Sequence, residues 1–342
     1  MANKVNPNDA LSMGVYHFHP RWTCAYGDSY EKRIEEFEDV MKSGYFNTVI
    51  AEDGCINDDE FWRVVFENDA TVWYNIWDYF QSDKGTFEEW HAERSKLLDA
   101  LKQHPDRWER FLGFHFDEPV WRGQSNADFL EQTKNLRQMY GKRIFPVFAT
   151  GEFSDSEGNA MQLNMDAANM KKLIPEALEY VTDVAFDSYS VDVREGFGNG
   201  DYIEKMHEKF EGIVDGKTYY SELTKLLVRI VGHDVNVWFF PCAYTTNLWR
   251  GGRVDEDYCV GHLDYFTELL KEQEYQGGIF LYTYKNNARN EAELGLTSHL
   301  IVTDENGNQK LYPDEPVWEK YSARLKEVCK EFSETPARHA KF

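Results

Sequence analysis

Two hydrophobic rhythms take turns along this chain. Short apolar runs rich in β-branched and aromatic residues recur at 13–19, 48–51, 71–77, 112–119, 144–149, 183–186, 235–240 and 278–284, and each predicts a buried strand. Between them lie polar stretches with apolar residues at helical spacing, such as 30–43, where Ile34, Phe37, Val40 and Met41 share one face. Further helices are predicted over 58–68, 86–104, 126–140, 170–181, 202–214, 219–231 and 255–273. Gly141 is a natural stop for the helix 126–140. Pro146 weakens the fifth strand prediction, because proline donates no ladder hydrogen bond.

Strands and helices that alternate this regularly imply parallel strands joined by helical crossovers. Eight such units predict an α/β fold, a single closed (β/α)8 barrel, rather than an open sheet. No G-x-G-x-x-G follows the first strand, which removes a dinucleotide-binding version of the open sheet. With no linker or break in composition, one domain is expected over 1–342, with a structured core at roughly 11–332. After the eighth strand, 300–309 reads as a small hairpin around Asn306-Gly307, and a last helix over 317–332 would close the barrel. The tail from Ser333 is expected to be loose.

Charge narrows the partners. A formal net charge of -23 opposes binding to nucleic acid or to an anionic membrane surface. The 10 Trp, 20 Tyr and 23 Phe suit a large core, and some of these rings suit the flat, partly apolar faces of sugars. Five cysteines, an odd number without C-x-x-C, indicate neither a disulfide framework nor a zinc site. The polar start 1–7 holds no apolar signal region, so the chain as given reads as cytoplasmic, or as extracellular had a leader been removed. The oligomeric state is not legible.

In a barrel of this kind the site lies at the C-terminal ends of the strands. Those ends supply His17 and His19, then Glu52 and Asp53, Trp77 and Asp78, Asp117 and Glu118, Glu152, Asp187 and Tyr189, Tyr244, and finally Tyr282 and Tyr284. Most of the ends carry an acid. Acids converging on one mouth raise each other's pKa, which keeps one of them protonated near neutrality. A protonated acid beside an ionised one is what cleavage of a glycosidic bond requires.

The run Phe114-His115-Phe116-Asp117-Glu118-Pro119 on strand four, with Phe186-Asp187-Ser188-Tyr189 on strand six, resembles TIM-barrel glycoside hydrolases. It is most similar to the group with D-E-P on strand four and D-x-Y on strand six. The segment 278–284, followed by 300–309 with its Asn-Gly turn, also resembles the end of such barrels. This resemblance implies a carbohydrate substrate, no cofactor and no metal. It departs from the commonest retaining barrels, which have Asn-Glu on strand four and a second Glu on strand seven, where this chain has Trp238-Phe239-Phe240-Pro241. The adjacent Asp-Glu is similar to hexosaminidase-type barrels, in which the Glu is the acid and the Asp orients an acetamide. A second precedent pairs strand-four and strand-six aspartates, here Asp117 and Asp187. The resemblance thus implies Glu118 as general acid/base with Asp117 or Asp187 as its partner. His17, His19, Glu52, Trp77, Asp78, Glu152, Tyr189, Tyr244, Tyr282 and Tyr284 would surround the sugar.

Two rival readings stay open. His17-Phe18-His19 could be the H-x-H of a metal-dependent amidohydrolase, or the site that of a carboxylate-ligated sugar isomerase, although strands five and six end in acids rather than the further histidines that the first chemistry uses. A catalytically silent, carbohydrate-binding barrel would keep Trp22, Trp77, Tyr189 and Tyr282 as stacking surfaces. Glu222, before or within a helix, is a structural residue in this reading and a reserve acid for the bare strand seven.

Overall fold

Thr48-Val49-Ile50-Ala51 illustrates how the strands arise. All four residues are buried, two of them β-branched aliphatics, and helices cover one face while the barrel interior takes the other. In the computed structural model, which describes residues 6, 8–16, 29–76, 86–119, 124–149, 175–187, 215–245, 256–282, 294–295, 300–303, 309–312 and 319–342, this segment is strand β2. The other barrel strands are β1 (Ser12–Val15), β3 (Thr71–Asn75), β4 (Phe111–Asp117), β5 (Arg143–Ala149), β6 (Asp183–Asp187), β7 (Asn236–Phe239) and β9 (Gln276–Leu281). They pair in parallel in sequence order, and β9 closes on β1 through Ser12↔Gly278 to Val15↔Leu281. The protein is a single (β/α)8 barrel. Two small antiparallel pairs accompany it, β8 (Tyr244–Thr245) with β10 (Leu294–Gly295), and β11 (Leu300–Thr303) with β12 (Gln309–Tyr312). The second pair is the hairpin expected after the eighth barrel strand.

Among the described residues the helices are α1 (Tyr30–Lys42), α2 (Asp53–Ile56), α3 (Asp59–Glu67), α4 (Phe87–Lys102), α5 (Pro105–Arg110), α6 (Asn126–Tyr140), α7 (Gly216–Val231), α8 (Glu256–Glu272) and α9 (Glu319–Glu334). Their starts are chemically fixed. Asp58 caps α3, Ser125 caps α6 and Asp215 caps α7, and Thr86 forms a reciprocal capping box with Glu89 on α4. Gly141 ends α6 with φ 65°, as its position suggested. Pro105 opens α5, a short helix not expected from the sequence, where its missing N–H costs nothing. Where a helix over 170–181 was expected, the described part of that stretch holds a 3-10 turn, Pro175–Leu178. The predicted helix 202–214 lies outside the described residues.

Pro146 does not interrupt β5. It pairs with Phe116 of β4, and on the other side Thr182 N donates to Ile144 O at 3.0 Å before it and Val147 pairs with Ala185 after it, so the strand is held on both sides of the missing N–H.

The barrel interior is filled by Ile50, Trp73, Phe145, Val147, Ala185, Trp238, Phe240 and Phe280. The five large aromatic residues among them need space that glycine supplies. A Cβ on Gly277 would sit 2.1 Å from Trp238 Nε1, and that indole cannot retreat, because it is fully buried and donates to Asp183 Oδ1 at 2.7 Å. Gly277→Ala is therefore expected to lower stability by about 1–3 kcal/mol through overpacking. A urea melt matching wild type would show that the indole can move.

The tail beyond Ser333 is not loose. Ala10 and Pro336 form an antiparallel bridge, Ala337 N donates to Asp9 O at 2.8 Å, and Gln276 N donates to Arg338 O at 2.7 Å. Ala340 is buried, and its N–H reaches Asn236 Oδ1 at 2.8 Å. The starts of the barrel strands would otherwise present unpaired backbone and side-chain polar groups at this end, and the tail satisfies them.

Candidate active site

The site is set up by an irregularity in β4. The β3–β4 register runs Val72↔Phe111 and then Trp73↔Gly113, so Leu112 is an extra residue and the strand bulges there. The bulge resets which side chains face inward. Phe114 and Phe116 join the core between strands and helices, and His115 and Asp117 turn to the barrel axis. His115 packs edge-on against Phe145 of the interior, with ring centroids 5.4 Å apart, and its Nδ1 donates to Asn75 Oδ1 at 3.2 Å.

Asp117 ends the strand and is buried. The hydroxyl of Tyr16, the residue directly after β1, donates to its Oδ1. Tyr16 itself is wedged among rings, 5.5 Å from His115, 5.1 Å from Phe240 and 5.9 Å from Tyr282 between centroids. Burial first, and then the charge of Asp117, push the Tyr16 phenol well above its ordinary value, so it remains a donor.

Successive residues of a strand point to opposite faces, so Glu118 should turn away from Asp117. The backbone prevents this. Glu118 has φ 47°, in the left-handed region that a glutamate occupies only at a cost, and its N–H is tied to Val147 O at 2.9 Å. The chain leaves the extended alternation at that residue, and the Glu118 side chain makes a hydrogen bond with Asp187 at the end of β6. Two carboxyls bond directly only if one holds a proton. Burial first, then the charges of Glu118 and Asp117, push the Asp187 carboxyl well above the usual carboxylate range. The proton thus belongs to the Asp187–Glu118 pair, in which Asp187 is the carboxyl held above its ordinary range.

The three acids implied as catalytic are brought together, and Tyr282 reaches the same place through Tyr16. Glu52 is partly buried at the start of α2. Its neighbour Asp53 accepts from the Tyr74 hydroxyl and pairs with Arg94 at 3.1 Å, which fixes α2 against β3 and α4. Glu222 lies on α7, paired with Lys225 at 2.7 Å at the surface, a structural placement. His17, His19, Trp77, Asp78, Glu152, Tyr189 and Tyr284 lie outside the described residues, as does the side chain of Tyr244. Tyr16 was not among the expected site residues. It fell inside the predicted strand 13–19, an apolar run in which a tyrosine reads as core, whereas the observed strand ends at Val15. Among the described residues no group of three or more His, Cys, Asp or Glu side chains is arranged to hold a metal ion.

No protein-family model and no curated protein matches the chain. Solved structures match in fold. An active-site mutant of a β-1,3-glucanosyltransferase from Rhizomucor miehei, in complex with laminaritriose, has a TM-score of 0.53 at 9% identity, over 88% of this chain and 95% of that one. A protein provisionally assigned as an alpha-L-fucosidase, from Bacteroides thetaiotaomicron, has a TM-score of 0.51 at 11% identity, over 97% and 96%. A β-glucuronidase from Ruminococcus gnavus has 0.51 at 11%, over 96% of this chain and 53% of that one. The barrel is one that carbohydrate-acting enzymes use. At these identities the likeness is one of fold.

The raised Asp187 carboxyl makes a prediction that needs no substrate. An acid whose pKa is higher folded than unfolded binds more protons in the native state, so its contribution to stability is fully present at low pH. That contribution is lost as pH rises from about 4, the ordinary aspartate value, through the folded value. Asp187→Asn removes the titration. The variant is expected to be more stable than wild type at neutral to alkaline pH, with a flatter dependence of Tm on pH. Parallel Tm-against-pH curves for the two proteins would show that Asp187 titrates normally.

Proposed function

We propose that this chain is a glycoside hydrolase acting on an oligosaccharide or glycoside by carboxylate acid/base catalysis at the C-terminal mouth of the barrel. The observation that carries this reading is the convergence of Asp187 and Glu118, which raises the Asp187 carboxyl, beside an Asp117 bonded separately by Tyr16. Glu118 and Asp187 act as one proton-holding unit. Glu118 delivers the proton to the leaving oxygen, and Asp187 resupplies it. Asp117 provides negative charge where the sugar ring becomes oxocarbenium-like. Two directly bonded carboxyls are closer than the ~5–5.5 Å that a nucleophile and an acid on opposite sides of a bond require. Asp187 and Glu118 therefore do not straddle the scissile bond in this arrangement, which favours Asp117 as the second functional carboxylate.

The test is hydrolysis of a panel of α- and β-linked aryl glycosides and oligosaccharides. Fucosides, β-1,3-glucans and glucuronides head the panel, because the proteins that share this fold carry those names. Turnover of at least one substrate is expected, with kcat/KM lower by about 10²-fold or more in Asp187→Asn. A wild-type protein that binds sugars without cleaving any would turn the reading into that of a binding barrel.

A further inference from the structure

We propose that Tyr16 is the positioning residue that allocates the protons of this site: its hydroxyl fixes Asp117 as the ionised carboxylate and so leaves the transferable proton on the Glu118–Asp187 pair. The proposal rests on the glycosidase reading for its purpose, but not for its measurement.

Three buried or partly buried carboxyls cannot all ionise beside one another, and a proton must sit somewhere. Asp117 and Glu118 are sequence neighbours on the same strand end, so nothing in their chemistry alone decides which of them shares a proton with Asp187. Geometry decides it. Tyr16 arrives from β1, three strands away around the barrel, and donates to Asp117. A phenol hydroxyl donating to a carboxyl favours the ionised form of that carboxyl. The left-handed backbone at Glu118 then sends the second carboxyl to Asp187 instead of to Asp117. The hydroxyl is aimed by its ring, held edge-on by Phe240 at 5.1 Å and His115 at 5.5 Å and tilted against Tyr282 at 5.9 Å. The titratable groups around the Tyr16–Asp117 pair are His115 from β4, Glu118 directly after it, Asp187 from β6, and Tyr282 beyond β9. The two further acids both repel charge on Asp117, which makes the donated bond the feature that offsets them.

Tyr16→Phe removes the hydroxyl and keeps the ring. Its test is carbon-13 NMR of protein labelled at the aspartate carboxyls, with the Asp117 and Asp187 signals assigned from Asp117→Asn and Asp187→Asn. In the variant Asp117 is expected to take up its proton about one to two pH units higher than in wild type, the size of a lost hydrogen bond to a charged group. With Asp117 neutral, one like charge disappears from beside Asp187, so Asp187 moves the opposite way. A merely structural tyrosine would not displace two carboxyls in opposite directions. As a second variant, 3-fluorotyrosine at position 16 keeps the bond and strengthens the donor, and should lower the Asp117 titration. Asp117 titrating at the same pH in all three proteins overturns the proposal. Opposed shifts in a protein that cleaves no glycoside would support the proton allocation and remove the glycosidase reading instead.

Discussion

Glu118→Gln is expected to leave the fold intact and to slow hydrolysis of glycosides with poor leaving groups by about 10²–10⁴-fold, the usual worth of general acid/base assistance. The substitution keeps the shape of the side chain and the N–H bond to Val147 O, and removes the ability to give and recover a proton. An activated aryl glycoside needs little protonation of its leaving oxygen, so its bond-breaking step should suffer far less. That contrast separates a proton donor from a residue that merely binds. Asp117→Asn should slow all substrates to a similar degree, since its proposed role is charge rather than proton transfer. The check is a plot of log kcat/KM against leaving-group pKa for the three proteins. A slope in Glu118→Gln equal to that of wild type would take Glu118 out of the acid role. The acid would then be sought at Asp187, or at Glu152.

How far the sequence foretold this site depends on how local each signal is. Strand β2 and helix α6 were legible to the residue, because a four-residue apolar run and a Gly-terminated amphipathic pattern depend on nothing distant. Asp117, Glu118 and Asp187 were legible as strand-end acids for the same reason. Their convergence followed from the barrel, which the eightfold alternation implied. What stayed hidden was relational. The partner of Tyr16 lies 101 residues away, and no neighbour of a tyrosine in an apolar run announces it. The φ of 47° at Glu118 leaves no mark in the sequence either, since glutamate is not a residue that advertises a left-handed backbone. Asp53 was read as part of the same ring of acids as Glu52. Its bonds to Tyr74 and Arg94 make it a brace for α2 instead, and those partners come from two other units.

The opposite end of the barrel holds the largest expected effect on stability. Asp183 opens β6 and is completely buried. Arg143, opening β5, bonds both of its oxygens, with Nε to Oδ2 at 2.8 Å and Nη2 to Oδ1. Thr182 Oγ1 donates to Oδ2 at 2.8 Å, Asn236 Nδ2 to Oδ1 at 3.1 Å, and Trp238 Nε1 to Oδ1 at 2.7 Å. This carboxylate therefore fastens the starts of three strands and one ring of the interior aromatic cluster. The Arg143 guanidinium lies 5.0 Å from the Trp73 ring centroid, so it packs against a second ring of that cluster. Asp183→Ala strands the guanidinium, the indole N–H and the Asn236 amide together in a place that water reaches poorly. Removing one member of such a pair costs about 3–5 kcal/mol, far more than the net worth of the pair itself. Urea unfolding of Asp183→Ala should show an unfolding free energy in water lowered by that amount, with the midpoint falling in proportion at an unchanged slope. Replacing both partners, as in Asp183→Leu with Arg143→Met, should recover much of the loss, because no charge is then left buried alone. The pair is remote from the mouth, so any glycosidase activity should survive in Asp183→Ala at temperatures where the protein is folded. A single variant within about 1 kcal/mol of wild type would mean that water or a rearranged tail satisfies Arg143, and that the starts of the strands are held chiefly by packing.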